Sequence, residues 1–294
     1  MTNLTTDLAS HIGTNGVISW WALLCSVAVI NVTAWLIAAM TLSRRQAQLP
    51  AEIYSFSRLQ LIFSALYVAG CAFRSALPVF DVPRLALFAS PLTSALLDRS
   101  VATIAELSFV AQWALMLRVV ASAANSALGK SLAFSLLPLI AVAELCSWYA
   151  VLTTANIGHV IEESIWGVSV ALVVVALVAM RPRCPTALRT VLDACCIAGV
   201  AYVAFMFLVD VPMYWTRWVA DEAAGRRYLS LWQGIRDAAE RLNVSYSWQD
   251  WKQEVVWMSL YFSVAVWFSI WLIHAPLPRI GAVARRKLQP ASST

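Results

Sequence analysis

Apolar residues along this chain gather into long runs separated by short polar joints. Each run approaches or exceeds the ~20 residues that a helix needs to cross the hydrocarbon core of a bilayer. The pattern predicts seven spans, near Val17 to Leu42, Phe56 to Leu77, Leu92 to Leu117, Ser131 to Leu152, Val160 to Met180, Leu188 to Met213 and Val255 to Ile273. Open strands would leave backbone N–H and C=O groups unpaired in lipid, and no alternating strand pattern of the barrel kind is present. The expected fold is therefore an all-α integral membrane protein, a bundle of about seven transmembrane helices. One stretch fits less well: LALFASPLTSALL, over 85–97, is too short to span and suits an interfacial or re-entrant piece.

Charge sets the orientation. Arg44 and Arg45, Arg118 and Lys130, Arg181, Arg183 and Arg189, and Arg279, Arg285, Arg286 and Lys287 all fall on one side of this topology. That side is cytoplasmic by the positive-inside rule, which puts the N-terminus outside and the C-terminus in the cytoplasm. The expected organisation is an outer tail over 1–16, a seven-helix domain over 17–276 and a basic cytoplasmic tail over 277–294. Within the long outer loop, 216–254, Tyr228, Trp232, Ile235, Ala239 and Leu242 recur at helical spacing while Arg236, Asp237, Glu240 and Arg241 occupy other faces. An amphipathic helix lying on the outer surface is expected there, flanked by interfacial tryptophans.

Composition agrees with the pattern and narrows the class. Of the 294 residues, 61% are apolar and 13% charged, and the mean hydropathy is +0.71, so lipid is the main solvent and the bilayer the first partner. Met1 to Gly16 lacks the basic residues of a cleavable signal, so the first run reads as a retained helix. The six cysteines lie mostly inside apolar runs with no CxxC spacing and read as buried thiols. The basic groups cluster at helix ends rather than in a stripe, which argues against nucleic acid. Usage rich in Ala and Arg leans towards a bacterial cytoplasmic (inner) membrane.

Ionisable side chains inside a span are costly and usually face a bundle interior or a wet cavity. On the second helix, Gln60, Ser64, Tyr67, Cys71 and Arg74 follow at steps of four, three, four and three, one buried face. Arg99, Thr103 and Glu106 share a face of the third helix, with Asp98 and Gln112 slightly rotated from it. The fourth brings Glu144 and Ser147, the fifth opens with His159, Glu162 and Glu163, and the sixth brings Asp210 and Tyr214. All these charges lie in the outer half, whereas the inner half offers mainly Arg58 and Asp193. The asymmetry suits an outward-facing cavity lined by Tyr67, Arg74, Arg99, Glu106, Glu144 and Asp210, with the loop helix as a lid.

Plainer readings stand beside that one. Asp98, Glu162, Glu163 and Asp210 suit helix-end solvation, and Glu106 and Glu144 suit structural pairing with Arg74 or Arg99 as well as they suit a functional site. His159, Glu162 and Glu163 share a helical face and form a candidate divalent-metal set that Glu106 and Glu144 could complete. An ordinary polar helix N-terminus is favoured over a metal, so no cofactor is expected.

Three histidines at different depths disfavour a three-His zinc centre or a bis-His haem, and no lysine lies mid-membrane for a retinal-type Schiff base. HExxH, GxSxG, GxGxxG and Walker signatures are absent. The leading expectation is a protein that binds or transports a polar small molecule or cation. A membrane-embedded enzyme acting on a lipid-like substrate at the outer leaflet is a second, with acid or base roles for Glu106, Glu144 or His159. A non-catalytic subunit or scaffold, assembled as a homo-oligomer or with another membrane protein, is a third.

Overall fold

The computed structural model describes residues 2–275. Seven helices long and apolar enough to cross a membrane run through it. They are built from α1 (Thr2–Arg44), α2 (Ala51–Ala76), α3 (Ala95–Ala123), α4 (Ala127–Thr153), α5 (Ile157–Met180), α6 (Thr186–Phe205) continuing through a π turn into α7 (Val211–Ala223), and a last span assembled from α10 and α11. Two short helices precede that last span, α8 (Leu231–Glu240) and α9 (Trp248–Trp251). The span itself is α10 (Val255–Leu260), a π turn (Tyr261–Ala265) and α11 (Val266–His274). The expected spans and the helices coincide in number and place, because a run of hydrocarbon length can only satisfy its backbone as a helix.

Helix α3 is the spine, packing on α2, α4 and α11, and it buries a larger share of its apolar stretch than any other span described. The outer faces of the helices remain apolar: Phe134 is 83% exposed, Leu208 76% and Ile197 72%. Apolar surface on this scale is covered by lipid in a multi-pass membrane protein. One contiguous apolar core runs from Val110 and Met116 through Leu136 and Ile140 to Met180 and Leu188.

Two features depart from the sequence expectation. Pro138, a residue type that commonly breaks or kinks a helix, sits inside an unbroken α4, and Pro78 and Pro91 lie outside the α-helices. The breaks in regularity are instead the π turns Met206–Asp210 and Tyr261–Ala265, the first followed by Pro212 at the start of the next helical turn. The stretch 85–97 forms no helix of membrane depth: it contributes a strand, a one-turn 3-10 helix at Pro91–Thr93 and the first turn of α3.

That strand belongs to a cap over the end of the bundle where α2 finishes and α3 starts. β1 (Val79–Phe80) pairs antiparallel with β2 (Leu85–Ala86), and β2 pairs in parallel with β3 (Asn243–Val244) from the loop between α7 and α9. Arg84, at φ 58, closes the tight turn. Its guanidinium holds three pieces together, donating to Asp237 Oδ2 on α8 at 2.9 Å, to the Val151 carbonyl at the end of α4 at 2.8 Å and to the Asp81 carbonyl at 2.6 Å. Helix α8 lies so close to α4 that a Cβ on Gly234 would sit 1.9 Å from the Leu152 carbonyl oxygen. Gly234 and Ala238 are the residues α8 buries, while Trp232 and Ile235 of the expected apolar stripe point away from the protein.

Candidate functional site

Up-and-down connections bring the C-terminal halves of α2 and α4 and the N-terminal halves of α3 and α5 to one level, beneath the cap. The π turn at Met206–Asp210 joins them there. The charged residues of these segments therefore meet, although the five segments are separate in the chain. Arg74 and Asp98 form a two-pronged pair, Nε to Oδ1 and Nη2 to Oδ2, both at 3.0 Å, with side chains 6% and 0% exposed. Both oxygens of Asp98 are thereby engaged.

Arg99 faces three carboxylates. Its Nη2 donates to Glu144 Oε2 at 2.7 Å and lies 3.3 Å from Glu106 Oε2, and its Nη1 lies 3.6 Å from Glu162 Oε1. Thr103 Oγ1 donates to Glu144 Oε2 at 2.6 Å and itself accepts from Trp148 Nε1 at 3.1 Å, which fixes that carboxylate between α3 and α4. Glu162 is held from the other side by His159 Nδ1 at 2.7 Å, and the His159 ring packs on Tyr214, ring centroids 4.8 Å apart. Oxygens of Glu106, Glu144 and Glu162 all lie within 4.8 Å of one another.

The network is unbalanced. Among the described residues, Asp98, Glu106, Glu144, Glu162 and Asp210 are buried in the helices at this end, against the guanidiniums of Arg74 and Arg99. Buried charge is tolerated when paired and fully hydrogen-bonded. Here Glu144 Oε1, Asp210 Oδ2, Arg99 Nε and Ser147 Oγ have no partner. In the cap, Asp81 is buried with Oδ1 unpartnered, and desolvation together with the neighbouring Asp98 pushes its carboxyl up to about 8. Glu254, just before α10, is likewise pushed up by burial, opposed by Arg217, whose Nη2 lies 3.4 Å away. Arg217 also stacks on Phe80 and Tyr214 and bonds Gln253, tying the cap to this edge of the network.

Several sequence expectations change at this point. Asp98, Glu162 and Asp210 are 0%, 3% and 4% exposed, so helix-end solvation does not describe them. The reason is the cap, which covers helix ends that the one-dimensional pattern leaves open to water. For the same reason the side chains of the cluster are buried beneath the cap. The pairing question resolves as Arg74 with Asp98, and Arg99 with Glu106, Glu144 and Glu162. Glu163 is half-buried on a neighbouring face, apart from the convergence of Glu162 with Glu106 and Glu144.

Tyr67 is fully buried on the polar stripe of α2, stacked on Phe109 with parallel rings 4.3 Å apart, its hydroxyl 3.4 Å from the Tyr261 carbonyl. Further along the stripe, Gln60 and Gln112 donate to each other's backbone carbonyls at 3.2 and 3.0 Å, and Ser269 Oγ lies 3.0 Å from Ser64 Oγ. Asp81, Arg84, Arg217 and Glu254 are missed from the sequence, because they lie outside the spans. The only available signal was a charged pair, Asp81 and Arg84, inside a short joint between two spans.

No protein-family model, curated protein or solved structure matches this chain. What fold and site define together is a class: a polytopic helical membrane protein with a buried Arg/Glu ion-pair network at one end of its bundle.

Proposed function

We propose that the chain binds and transports a cation or a cationic polar solute, taking it up at the capped end into the buried carboxylate cluster around Arg99. The observation that carries this reading is the convergence of Glu106, Glu144 and Glu162 on a single guanidinium inside the bundle. Three carboxylates and one arginine leave a negative surplus, and in a medium of low dielectric that surplus demands a proton or a cation. Arg99 acts as a tethered cation that a solute must displace, and the cap, pinned by Arg84, controls entry. The distribution of Lys and Arg supports a capped end outside the cell and a basic end in the cytoplasm, in the inner membrane of a bacterium. The polar stripe from Arg74 to Gln60 leads from that cluster into the bundle and is the route we assign to the solute.

Reconstituted protein tests this. Glu106→Gln is expected to reduce proton or cation flux by about tenfold or more while shifting the melting temperature little. Equal loss of flux and folding would make Glu106 a structural partner of Arg99 only. A second reading is favoured by one observation, the His159 and Glu162 pair at 2.7 Å, which orients an imidazole as a general base would require. In that case hydrolysis of a lipid-like substrate by purified protein would vanish in His159→Gln.

A further inference from the structure

The Arg99 cluster contains more acceptors than Arg99 can serve. Its guanidinium makes one short contact, to Glu144, while Glu106 and Glu162 stand off at 3.3 and 3.6 Å. The three carboxylates reach towards a common point, with oxygens within 4.8 Å of one another. An ion that binds carboxylate oxygens at ~2.0–2.6 Å spans ligand oxygens up to about 4–5 Å apart, so these groups are already near the spacing a metal requires. The donor set is all oxygen, three carboxylates, which selects hard divalent ions over the thiolate- and imidazole-seeking ones.

We propose that Glu106, Glu144 and Glu162 form a site for a hard divalent cation of the Mg2+, Mn2+ or Ca2+ class, and that Arg99 is the site's built-in competitor. This deepens, and rests on, the reading of the cluster as cation-binding. It narrows the solute from any cation to a divalent one.

Two unpartnered buried oxygens, one within the cluster and one beside it, point to a missing ligand. Glu144 is 2% exposed, yet its Oε1 has no partner, and Ser147, one turn further along the same face of α4, is fully buried with an unpartnered Oγ. Groups buried in this way normally find a partner. The outer contacts are those a metal-binding carboxylate needs: Thr103 steadies Glu144 and His159 steadies Glu162.

An entering ion must displace Arg99, and the structure offers a place to receive it. Asp98, the nearest acid in sequence, has both oxygens taken by the Arg74 fork. Asp81 in the cap has a free, buried Oδ1 and lies within electrostatic reach of Arg99. Movement of Arg99 from the glutamates to Asp81 would pair it with the turn that Arg84 pins, so ion binding and the state of the cap become linked.

The test is Mn2+ titration of the purified full-length protein in detergent, read by electron paramagnetic resonance and repeated with Ca2+ and Mg2+ as competitors. Wild type is expected to bind Mn2+ saturably and to release it to the competitors. Glu162→Gln and Glu106→Gln are expected to weaken binding by about tenfold or more, Arg99→Gln to tighten it by about tenfold through loss of the competitor, and Asp193→Asn, at the opposite end, to leave it unchanged. Should Arg99→Gln fail to fold, Asp81→Asn carries the same test with the glutamates intact, because loss of the receiving oxygen should weaken Mn2+ binding. Absence of saturable binding in wild type and in Arg99→Gln, or binding indifferent to Glu162→Gln, overturns the proposal. Flux of protons or monovalent cations that depends on Glu106 in a protein without Mn2+ binding would remove the divalent site and keep the transport reading. Loss of both would remove both.

Discussion

The two ends of the bundle carry the same ion pair in different surroundings. Arg74 and Asp98 form a fork beneath the cap at 3.0 Å, and Arg181 and Asp193 form the same fork at the opposite end at 2.5 and 2.8 Å. The second is shorter, yet its side chains are 47% and 41% exposed, against 6% and 0% for the first. Distance therefore ranks them one way and burial the other, and burial decides. Water competes for every prong of the exposed pair and screens its charges, whereas a buried pair that loses one member leaves the other desolvated and alone.

Substitutions can break this comparison in order of effect. Asp98→Ala leaves the Arg74 guanidinium buried without its acceptor and is expected to cost about 3–5 kcal/mol, read as a large fall in the melting temperature of the detergent-solubilised protein. Replacing both Arg74 and Asp98 by apolar residues of similar volume should recover much of that loss; no recovery would mean the pair does more than neutralise itself. Next comes Gly234→Val, whose side chain enters the space of the Leu152 carbonyl and lifts α8 from α4. About 1–3 kcal/mol of destabilisation is expected, together with faster proteolysis of the cap around 226–247. A cap that stays protected would show that Arg84 alone suffices to hold it.

A different kind of effect is expected from Asp81, through pH. Its folded-state carboxyl titrates at about 8, well above the ~3.9 of an unfolded chain. The folded protein therefore holds a proton that the unfolded chain has lost, so stability falls as pH rises from about 4 to about 8 and levels off above. Asp81→Asn should flatten that slope in melting curves; an unchanged slope would assign the titration to a different group. Smallest of all, Asp193→Asn should produce no resolvable change in melting.

The two ends also differ in how far the sequence reveals them. The seven spans, the buried stripe Gln60, Ser64, Tyr67, Cys71 and Arg74, and the shared face of Arg99, Thr103 and Glu106 all follow from run length and helical spacing, which are local properties. Glu106 and Glu144 stand out because a carboxylate within an apolar run demands a partner. The choice of partner is not local. Arg74 takes Asp98 rather than a glutamate because α2 and α3 are adjacent and antiparallel, with both residues at the same level beneath the cap. The cap is the least legible part, since strands of two residues each, the third more than 150 positions beyond the other two, have no periodicity to find. Its absence from the one-dimensional picture is what makes Asp98, Glu162 and Asp210 look solvated.

Within the capped end, Arg74 serves one carboxylate and Arg99 serves three, and the account assigns structure to the first and solute exchange to the second. The most direct test is flux through wild type, Arg74→Lys and Arg99→Lys reconstituted side by side, each normalised to folded protein. Arg99→Lys is expected to change the apparent affinity for the transported cation by about tenfold or more, while Arg74→Lys lowers the melting temperature and leaves flux per folded molecule near wild type. Flux that follows the melting temperature equally in both variants would contradict the account.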